Sequence, residues 1–418
     1  WASILRIGTD KIDVDDNFFR LGGDSVLAMK LVSSLRSQGH ALSVADIFQH
    51  MRLGDAAKVM KLDAVTKAKK QTQAYKPFST LGHANIEAFL SETVRPKLAE
   101  SSWPVRDVLP VTDTQALDIA QTVSAPRTSL QYTTLIFEYG VNSEKLIDAC
   151  KQLVQTHDIL RTVFIEHGST FYQVVLQSLD NAVVSKRVEG DIKQQVAELC
   201  AADVEQEFAL GDSFTKIYHV QGDNGKEGLV FRLSHAQYDG VSLPALLTDL
   251  ETLYTGGKIT SEPFASYIAA TLEPSIQQKS TAYWRDLLSG SSLSSLGTTV
   301  QESEKGLFKS AAVDIANKPS DVTTANILTA AWSLVLARRL HTSDVVFGAV
   351  TSGRNVPSLA NVDNIMGPCY QFTPVRVSLD KSPDIPSLLR NIATQVAESS
   401  SHDFLGFSRI AAAVGWEN

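Results

Sequence analysis

Residues 229–240 read LVFRLSHAQYDG, an apolar run that ends in a short polar turn. The run is typical of a buried strand, and a helix is predicted after the turn, from Ser242 to Tyr254. A histidine directly after a strand lies where α/β scaffolds present reactive groups, and an unperturbed pKa of about 6.5 suits proton transfer at neutral pH. His235 is therefore a candidate base, and Asp239 can brace the loop by pairing with a cation. For these residues alone, a histidine with an ordinary structural hydrogen bond is the more common alternative.

Predicted strands and helices alternate on both sides of this turn. Before it, a helix is predicted over 143–156, and strands are predicted over 132–139, 161–166, 170–176 and 215–220. After Pro263 the pattern begins again, with a helix over 323–340 and strands over 344–350 and 369–377. Such alternation predicts α/β or α+β layering in two sub-domains of related design, at residues 85–270 and 271–418.

The first 62 residues have a different, helical pattern. Helices are predicted from Ser25, from Ser43 and over 55–60, which suits a small bundle of the four-helix type. The stretch DNFFRLGGDS at 16–25 precedes the first of these helices, and its two glycines permit a tight turn before the helix cap. Residues 63–84, which are polar and basic at their start, are predicted to be a solvated linker.

The composition argues against several classes of partner. The 418 residues include 38 Lys and Arg against 46 Asp and Glu, a net charge of −8, and no long basic block, so a nucleic-acid partner is not expected. No apolar stretch reaches the roughly 20 residues that cross a bilayer, so no membrane partner is expected. Cys150, Cys200 and Cys369 lie far apart and form no CxxC pair, which predicts neither a disulfide framework nor a metal site and favours a cytoplasmic location.

The string DNFFRLGGDS closely resembles the modification site of peptidyl carrier (thiolation) domains in nonribosomal peptide synthetases. The resemblance implies that Ser25 carries a covalent 4′-phosphopantetheine, added by a phosphopantetheinyl transferase. A serine at a helix start suits an attached phosphate, because helix N-termini favour negative charge. A similar string, LGDS at 210–213, lacks the second glycine and the aromatic pair, so Ser213 is predicted to be an ordinary loop residue.

Residues 234–240 resemble the HHxxxDG motif of condensation domains, which adjoin carrier domains in the same synthetases. Further segments resemble other motifs of that family, and together they span residues 104–418. These segments are 109–115 (LPVTDTQ), 157–164 (HDILRTVF), 208–210 (FAL), 366–369 (MGPC) and 374–376 (PVR).

The resemblance implies two chloramphenicol-acetyltransferase-like lobes in a V shape, with a tunnel between them and the catalytic histidine at its middle. It assigns catalysis to His235 and a structural role to Asp239, next to Gly240. In the family this aspartate usually pairs with an arginine of the other lobe. Arg354, in TSGRN at 351–355, is our candidate for that arginine, and Arg376 is the competing one.

Ser234 stands where the motif has its first histidine. The Ser-His version is characteristic of terminal condensation-like domains of fungal synthetases, which release the finished peptide by cyclisation. The resemblance thus implies macrocyclisation of a tethered linear peptidyl thioester supplied by upstream modules, with His235 as general base. The alternatives are an ordinary condensation domain, which would need an amine on a second carrier, and a non-catalytic domain that gates the carrier.

Other chemistry has less support in the sequence. A Gly-x-Ser-x-Gly motif is absent, which argues against release through a serine acyl-enzyme, and no P-loop or Gly-x-Gly-x-x-Gly predicts nucleotide use. The chain begins at Trp1 without Met, and the strands that the family usually has after Trp416 are not found. We therefore expect a piece of a longer chain with an incomplete C-terminal lobe.

Overall fold

The structure is a computed structural model that describes residues 1–62, 75–223, 225–297, 309–313, 319, 322–359 and 362–416. The chain folds as two compact units. The first unit comprises Trp1–Thr72, Ser275–Ala360 and Gln371–Asn418, and the second comprises Gln73–Pro274 and Asn361–Tyr370. Most of the predicted linker, at 63–74, lies outside the described residues.

Helices and strands occur in both units, so the fold is α+β. The helices are α1 (Ala2–Leu5), α2 (Ser25–Ser37), α3 (Val44–Gln49), α4 (Leu53–Val59), α5 (Ile86–Phe89), α6 (Asp113–Val123), α7 (Ser143–Thr156), α8 (Ile192–Val204), α9 (Ser242–Tyr254), α10 (Phe264–Thr271), α11 (Pro274–Leu288), α12 (Thr324–Leu340), α13 (Ile385–Ser399) and α14 (Phe407–Val414). The strands are β1 (His40–Ala41), β2 (Lys61–Leu62), β3 (Val105–Pro110), β4 (Leu130–Phe137), β5 (Thr162–His167), β6 (Thr170–Leu176), β7 (Val183–Val188), β8 (Lys216–Gly222), β9 (Glu227–Ser234), β10 (Asp344–Thr351) and β11 (Gln371–Ser378). No helix of the described residues combines the length and apolar character that a bilayer crossing requires.

Two sheets form the framework of the second unit. One has the strand order β4-β9-β8-β7, in which β7 and β8 are parallel and the other neighbours are antiparallel. The other has the antiparallel order β3-β6-β5. Strand β9 has a partner on each side, and all eight of its residues are buried. A strand covered on both faces is apolar along most of its length, which explains the run at 229–233 and gives the turn after it a rigid base.

The sequence predicted the amphipathic helices better than the edge of this sheet. Helices α7 and α9 have the predicted bounds, and α7 buries one apolar stripe that includes Leu146, Cys150 and Leu153. Strand β7 was missed, because it lies at the sheet edge and leaves Ser185, Lys186 and Arg187 exposed instead of alternating.

Residues 1–62 of the first unit form the predicted helical bundle, α1 to α4, with the short pair β1–β2. Ser43 begins α3 with a capping box, as its position in the sequence suggested, and Asp24 caps α2 by accepting from the Leu27 N–H at 2.8 Å. The bundle core is centred on Phe18, whose ring meets Trp1 edge to face at 5.2 Å.

The bundle also packs against the rest of the first unit. Ala397 of α13 joins the apolar core of the bundle. The guanidinium of Arg36, near the end of α2, donates to the carbonyls of Val356 and Leu359 at 3.0 and 2.9 Å. Beyond this contact, β10 and β11 form an antiparallel pair whose buried residues share an apolar core with α12 and α13.

We expect Gly23→Ala to loosen the bundle, because a Cβ at Gly23 would lie 2.4 Å from the buried ring of Phe18. Overpacking of this kind costs about 1–3 kcal/mol, so amide hydrogen exchange from α2 in the full chain should accelerate roughly 5- to 150-fold. Gly348→Ala, in β10 of the same unit, is the matched control. Gly348 is exposed, has no positive φ, and has nothing within 4 Å of its added Cβ. Equal acceleration in both variants would contradict the packing argument.

Candidate active site

The imidazole of His235 is held between two tyrosine rings. His235 directly follows β9, and its backbone N–H donates to the Ser129 carbonyl at 2.8 Å, which continues the pairing of β9 with β4. The Tyr238 ring stacks on the imidazole at 4.6 Å and 20°, and the Tyr370 ring meets it edge-on at 5.8 Å and 66°. The two rings restrict the orientation of the imidazole, while the residue as a whole remains half-buried.

One nitrogen of this imidazole is buried and unpaired. Nδ1 of His235 has no hydrogen-bond partner among the described residues. Buried polar atoms of native proteins are nearly always paired, so an orphaned one calls for an explanation such as a catalytic role. Because Nδ1 is itself enclosed, the half-buried ring can meet a substrate only through its other atoms, so Nε2 is the nitrogen that could accept a proton from one.

Ser234, the residue before the histidine, points into the protein interior. Its side chain is fully buried, its hydroxyl lies 2.7 Å from the Thr122 hydroxyl, and it accepts the Ala236 N–H at 3.1 Å. The position at which the related motif has its first histidine is therefore a small, fully bonded interior site in this chain. The hydroxyl shapes the turn around His235.

Helix α6 presents a polar face to this turn. Gln115, Asp118 and Thr122 are all buried, and they recur at the i, i+3 and i+7 spacing of one helical face. The Gln115 amide donates to the Ala236 carbonyl at 3.0 Å, so α6 bonds to the residues on both sides of His235. Asp118 and Thr122 were not predicted as site residues. Their helical spacing, close after the segment 109–115, is a pattern that could have indicated them.

Asp118 is the charged member of this face. Its Oδ2 accepts the Tyr370 O–H at 2.6 Å and its Oδ1 accepts the Ser129 O–H at 2.8 Å. Burial raises the pKa of the Asp118 carboxyl, while the two hydroxyl donors and the nearby charge of His235 lower it. Tyr370 was also absent from the predicted site, because it lies 252 residues from Asp118 and follows no local motif.

Asp239 is buried at the start of α9. Its Oδ1 accepts the N–H groups of Val241 and Ser242 at 3.1 and 2.8 Å, and its Oδ2 accepts the Cys369 N–H at 2.9 Å. One carboxylate thus fixes the start of α9 and ties the segment 361–370, with Tyr370, to the histidine turn. Gly240 is exposed, has no positive φ, and has open space where a Cβ would be.

The two candidate arginines both belong to the first unit. Arg376 pairs with Asp344 at 2.7 Å and donates to the carbonyls of Leu287 and Ser289 at 3.0 and 2.8 Å, so its donors are engaged within that unit. Arg354 is buried, with 3% of its surface exposed. The assignment of Arg354 as the partner of Asp239 stays a prediction.

Ser25 is the first residue of α2 and directly follows the capping Asp24. Gly22 and Asp24 are exposed, so the loop has room for a long attached group, and the 13-residue helix offers its positive end to a phosphate. The surroundings of Ser25 therefore fit a phosphopantetheine arm.

Comparison with known proteins gives two family matches. The condensation-domain family matches residues 105–417, and the phosphopantetheine attachment site family matches residues 1–60. The chain is 54% identical over 418 residues to nonribosomal peptide synthetase sidD of Aspergillus fumigatus. This match covers 100% of the chain and 20% of that protein. It is 38% identical over 412 residues to nonribosomal peptide synthetase 1 of Ajellomyces capsulatus, covering 98% of the chain and 22% of that protein. The chain spans about a fifth of the length of these relatives.

Solved structures share the fold. The crystal structure of holo T3CT has a TM-score of 0.69 and 27% sequence identity, covering 81% of this chain and 78% of its own. The epimerization domain from the third module of tyrocidine synthetase B has a TM-score of 0.60 at 18% identity, covering 73% and 76%, and shows similarity of fold alone. These matches confirm the predicted carrier bundle followed by an α+β domain of the condensation type.

We expect Thr122→Val and Ser234→Ala to be coupled in a double-mutant cycle. Thr122 donates its hydroxyl proton to the Asp118 carbonyl at 2.7 Å, so Thr122→Val deprives the buried Ser234 O–H of its acceptor, and Ser234→Ala deprives the Ala236 N–H of its acceptor. Each loss costs about 1–3 kcal/mol of the free energy of unfolding. The double variant removes both hydroxyls of the pair and should lose less than the sum of the two. Urea unfolding of the full chain, followed by circular dichroism, measures these values. Additive losses would show that the hydroxyl pair contributes nothing.

Proposed function

Because the chain belongs to the condensation-domain family of nonribosomal peptide synthetases, with a phosphopantetheine attachment domain before it, we propose that it releases a peptide by cyclisation. In this proposal an amine, amide or hydroxyl of the tethered peptide attacks the thioester of the same peptide. A C–N or C–O bond forms, the C–S bond breaks, and the peptide leaves as a ring. Upstream modules supply the linear peptide.

The unpaired, oriented imidazole of His235 carries the proposal. In its neutral form it accepts the proton that the attacking group loses, a contribution typically worth about 10²- to 10⁴-fold in rate. As an imidazolium it can return a proton to the departing sulfur. The tyrosine rings on two of its sides support this role, since they keep the basic nitrogen from turning away during the reaction.

The carrier domain presents the substrate. Its covalent phosphopantetheine holds the acyl chain as an activated thioester on a long arm. We assign the attachment to Ser25, because this serine is the first residue of α2 and directly follows Asp24, an exposed capping aspartate. The carboxylate of Asp24 stays bonded to the Leu27 N–H, so the helix start remains fixed when the neighbouring serine is modified.

The Ser-His form of the motif favours cyclisation over ordinary condensation. Retention of Asp239 at the start of α9 and of His235 between its tyrosines argues against a domain that only gates the carrier. The ordinary condensation reaction uses the same base, and it differs in the source of the attacking group. The two reactions are therefore distinguished by whether a second, amine-bearing carrier is required.

Ser25→Ala should abolish loading of the full chain. We expect a phosphopantetheinyl transferase with coenzyme A to add one phosphopantetheine to the wild type and none to this variant, measured by intact mass. Ser213→Ala is the matched control, because the sequence around it, LGDS, partly mimics the loading site, and it should load like the wild type. Loading of Ser25→Ala would overturn the assignment.

His235→Ala should abolish cyclic release. We expect full-length protein loaded with a linear peptidyl-pantetheine to shed the peptide as a product one water lighter than the linear acid, and the variant to retain the peptide or only hydrolyse it. The rate should fall roughly 10²- to 10⁴-fold, because the general base is lost. An intact-mass time course with product analysis measures this.

His167→Ala, an exposed histidine of the same unit, serves as the control and should release at the wild-type rate. Wild-type protein that keeps its peptide until an amine-bearing carrier is added would be an ordinary condensation domain. Retention even then would contradict catalysis altogether.

A further inference from the structure

We propose that Asp118 is a positioning residue for His235, which fixes the imidazole through Ser129 and Tyr370 and stabilises the positive charge that the ring gains with a proton. The inference rests on the proposed role of His235 as general base. It adds a carboxylate, from helix α6, that lies outside the HxxxDG motif.

The two carboxylate oxygens of Asp118 bond to Ser129 and Tyr370, which contact the backbone and the ring of His235. The Ser129 hydroxyl lies 2.8 Å from Oδ1 of Asp118 and 2.8 Å from the side-chain oxygen of Gln121, so these two acceptors share its proton. The Ser129 carbonyl accepts the His235 N–H at 2.8 Å. Tyr370 donates to Oδ2 at 2.6 Å, and its ring lies against the imidazole. A single carboxylate thus holds both the backbone contact and the aromatic contact of His235.

The charge of the Asp118 carboxylate also acts on His235. Burial raises the pKa of Asp118 overall, while the O–H donors to both of its oxygens act in the opposite direction and favour the ionised carboxylate. The positive charge of His235 stabilises this carboxylate, and such an interaction is reciprocal, so the carboxylate also stabilises the imidazolium. Asp118 is 4% exposed, which limits the screening of this interaction by water and salt.

The titratable groups around Asp118 and His235 are Tyr370, Tyr238 and a second buried carboxylate, Asp239, whose charge acts on Tyr370. Both oxygens of Asp239 are engaged by backbone N–H groups. Burial, with a smaller contribution from Asp118, raises the pKa of Tyr238 to about 12. Burial and the bond to Asp118 raise the pKa of Tyr370 well above its usual value. Both phenols therefore stay neutral near neutral pH.

The test is the pH dependence of single-turnover release from loaded, full-length protein. Neutral His235 is the active form of the base, so the rate rises with pH to a plateau. In Asp118→Asn the imidazolium loses a stabilising charge, so the midpoint of this rise should move to lower pH by about one unit. The plateau should fall roughly tenfold or more, because the charge formed during proton transfer is less stabilised.

Asp203→Asn is the matched control. Asp203 is another buried carboxylate of the second unit; it accepts from Tyr132 at 2.6 Å and from Tyr218, and it pairs with Arg232 at 3.3 Å. Its loss should lower stability and leave the midpoint unchanged. Tyr370→Phe keeps the aromatic contact and removes one of the bonds that hold Asp118, so it should lower the plateau by less than Asp118→Asn does.

A second readout does not depend on turnover. Titration of the His235 ring by NMR in the full chain, assigned with His235→Ala, should give a lower midpoint in Asp118→Asn than in the wild type. An unchanged midpoint by NMR and by rate, in a folded variant, would overturn the inference while the proposed function stands. Undiminished release by His235→Ala would overturn the proposed function, and the NMR titration would still decide whether Asp118 acts on the ring.

Discussion

The buried polar face of helix α6 is the constraint on which the histidine turn depends. Gln115, Asp118 and Thr122 are removed from water and must therefore be hydrogen-bonded within the protein. Their partners include Ser234 and Ala236, on the two sides of His235, together with Ser129 before β4 and Tyr370. Apolar packing has no directional preference, whereas these hydrogen bonds define one position of the histidine turn relative to helix α6. Strand β9, which is buried along its whole length, fixes the backbone from which His235 directly follows.

The motif at residues 234–240 contains two kinds of residue. His235 is half-buried, and Gly240 is exposed with open space where a Cβ would be. Ser234 and Asp239 face the interior, where one bonds to α6 and the other organises the start of α9 and the segment 361–370. The buried bonds of Ser234 and Asp239 fix the position of the turn that carries His235. A general base is effective only when its nitrogen is held at hydrogen-bond distance from the proton it removes.

The sequence predicted what local pattern controls. Strand β9, helices α7 and α9 and the helical start at Ser25 follow from apolar spacing and capping residues, and family resemblance identified the histidine motif. The ring of Tyr370 and the carboxylate of Asp118 could not be predicted as neighbours, because 252 residues separate them and neither forms part of a recognisable string. The edge strand β7 was missed for a similar reason, since exposed residues at an edge need not alternate. Long-range polar pairs are set by the tertiary fold, which spacing along the chain does not encode.

The contact between Ser234 and Thr122 has a consequence for the residue type at position 234. The serine is wholly enclosed and its hydroxyl lies 2.7 Å from that of the threonine, so a larger side chain at 234 has no room unless position 122 shrinks or α6 shifts. Ser234→His in this chain would therefore have to be accompanied by a smaller side chain at 122, which lies 112 residues away along the chain, or by a shift of α6. The residue before the catalytic candidate is limited in size by a helix that is remote in sequence.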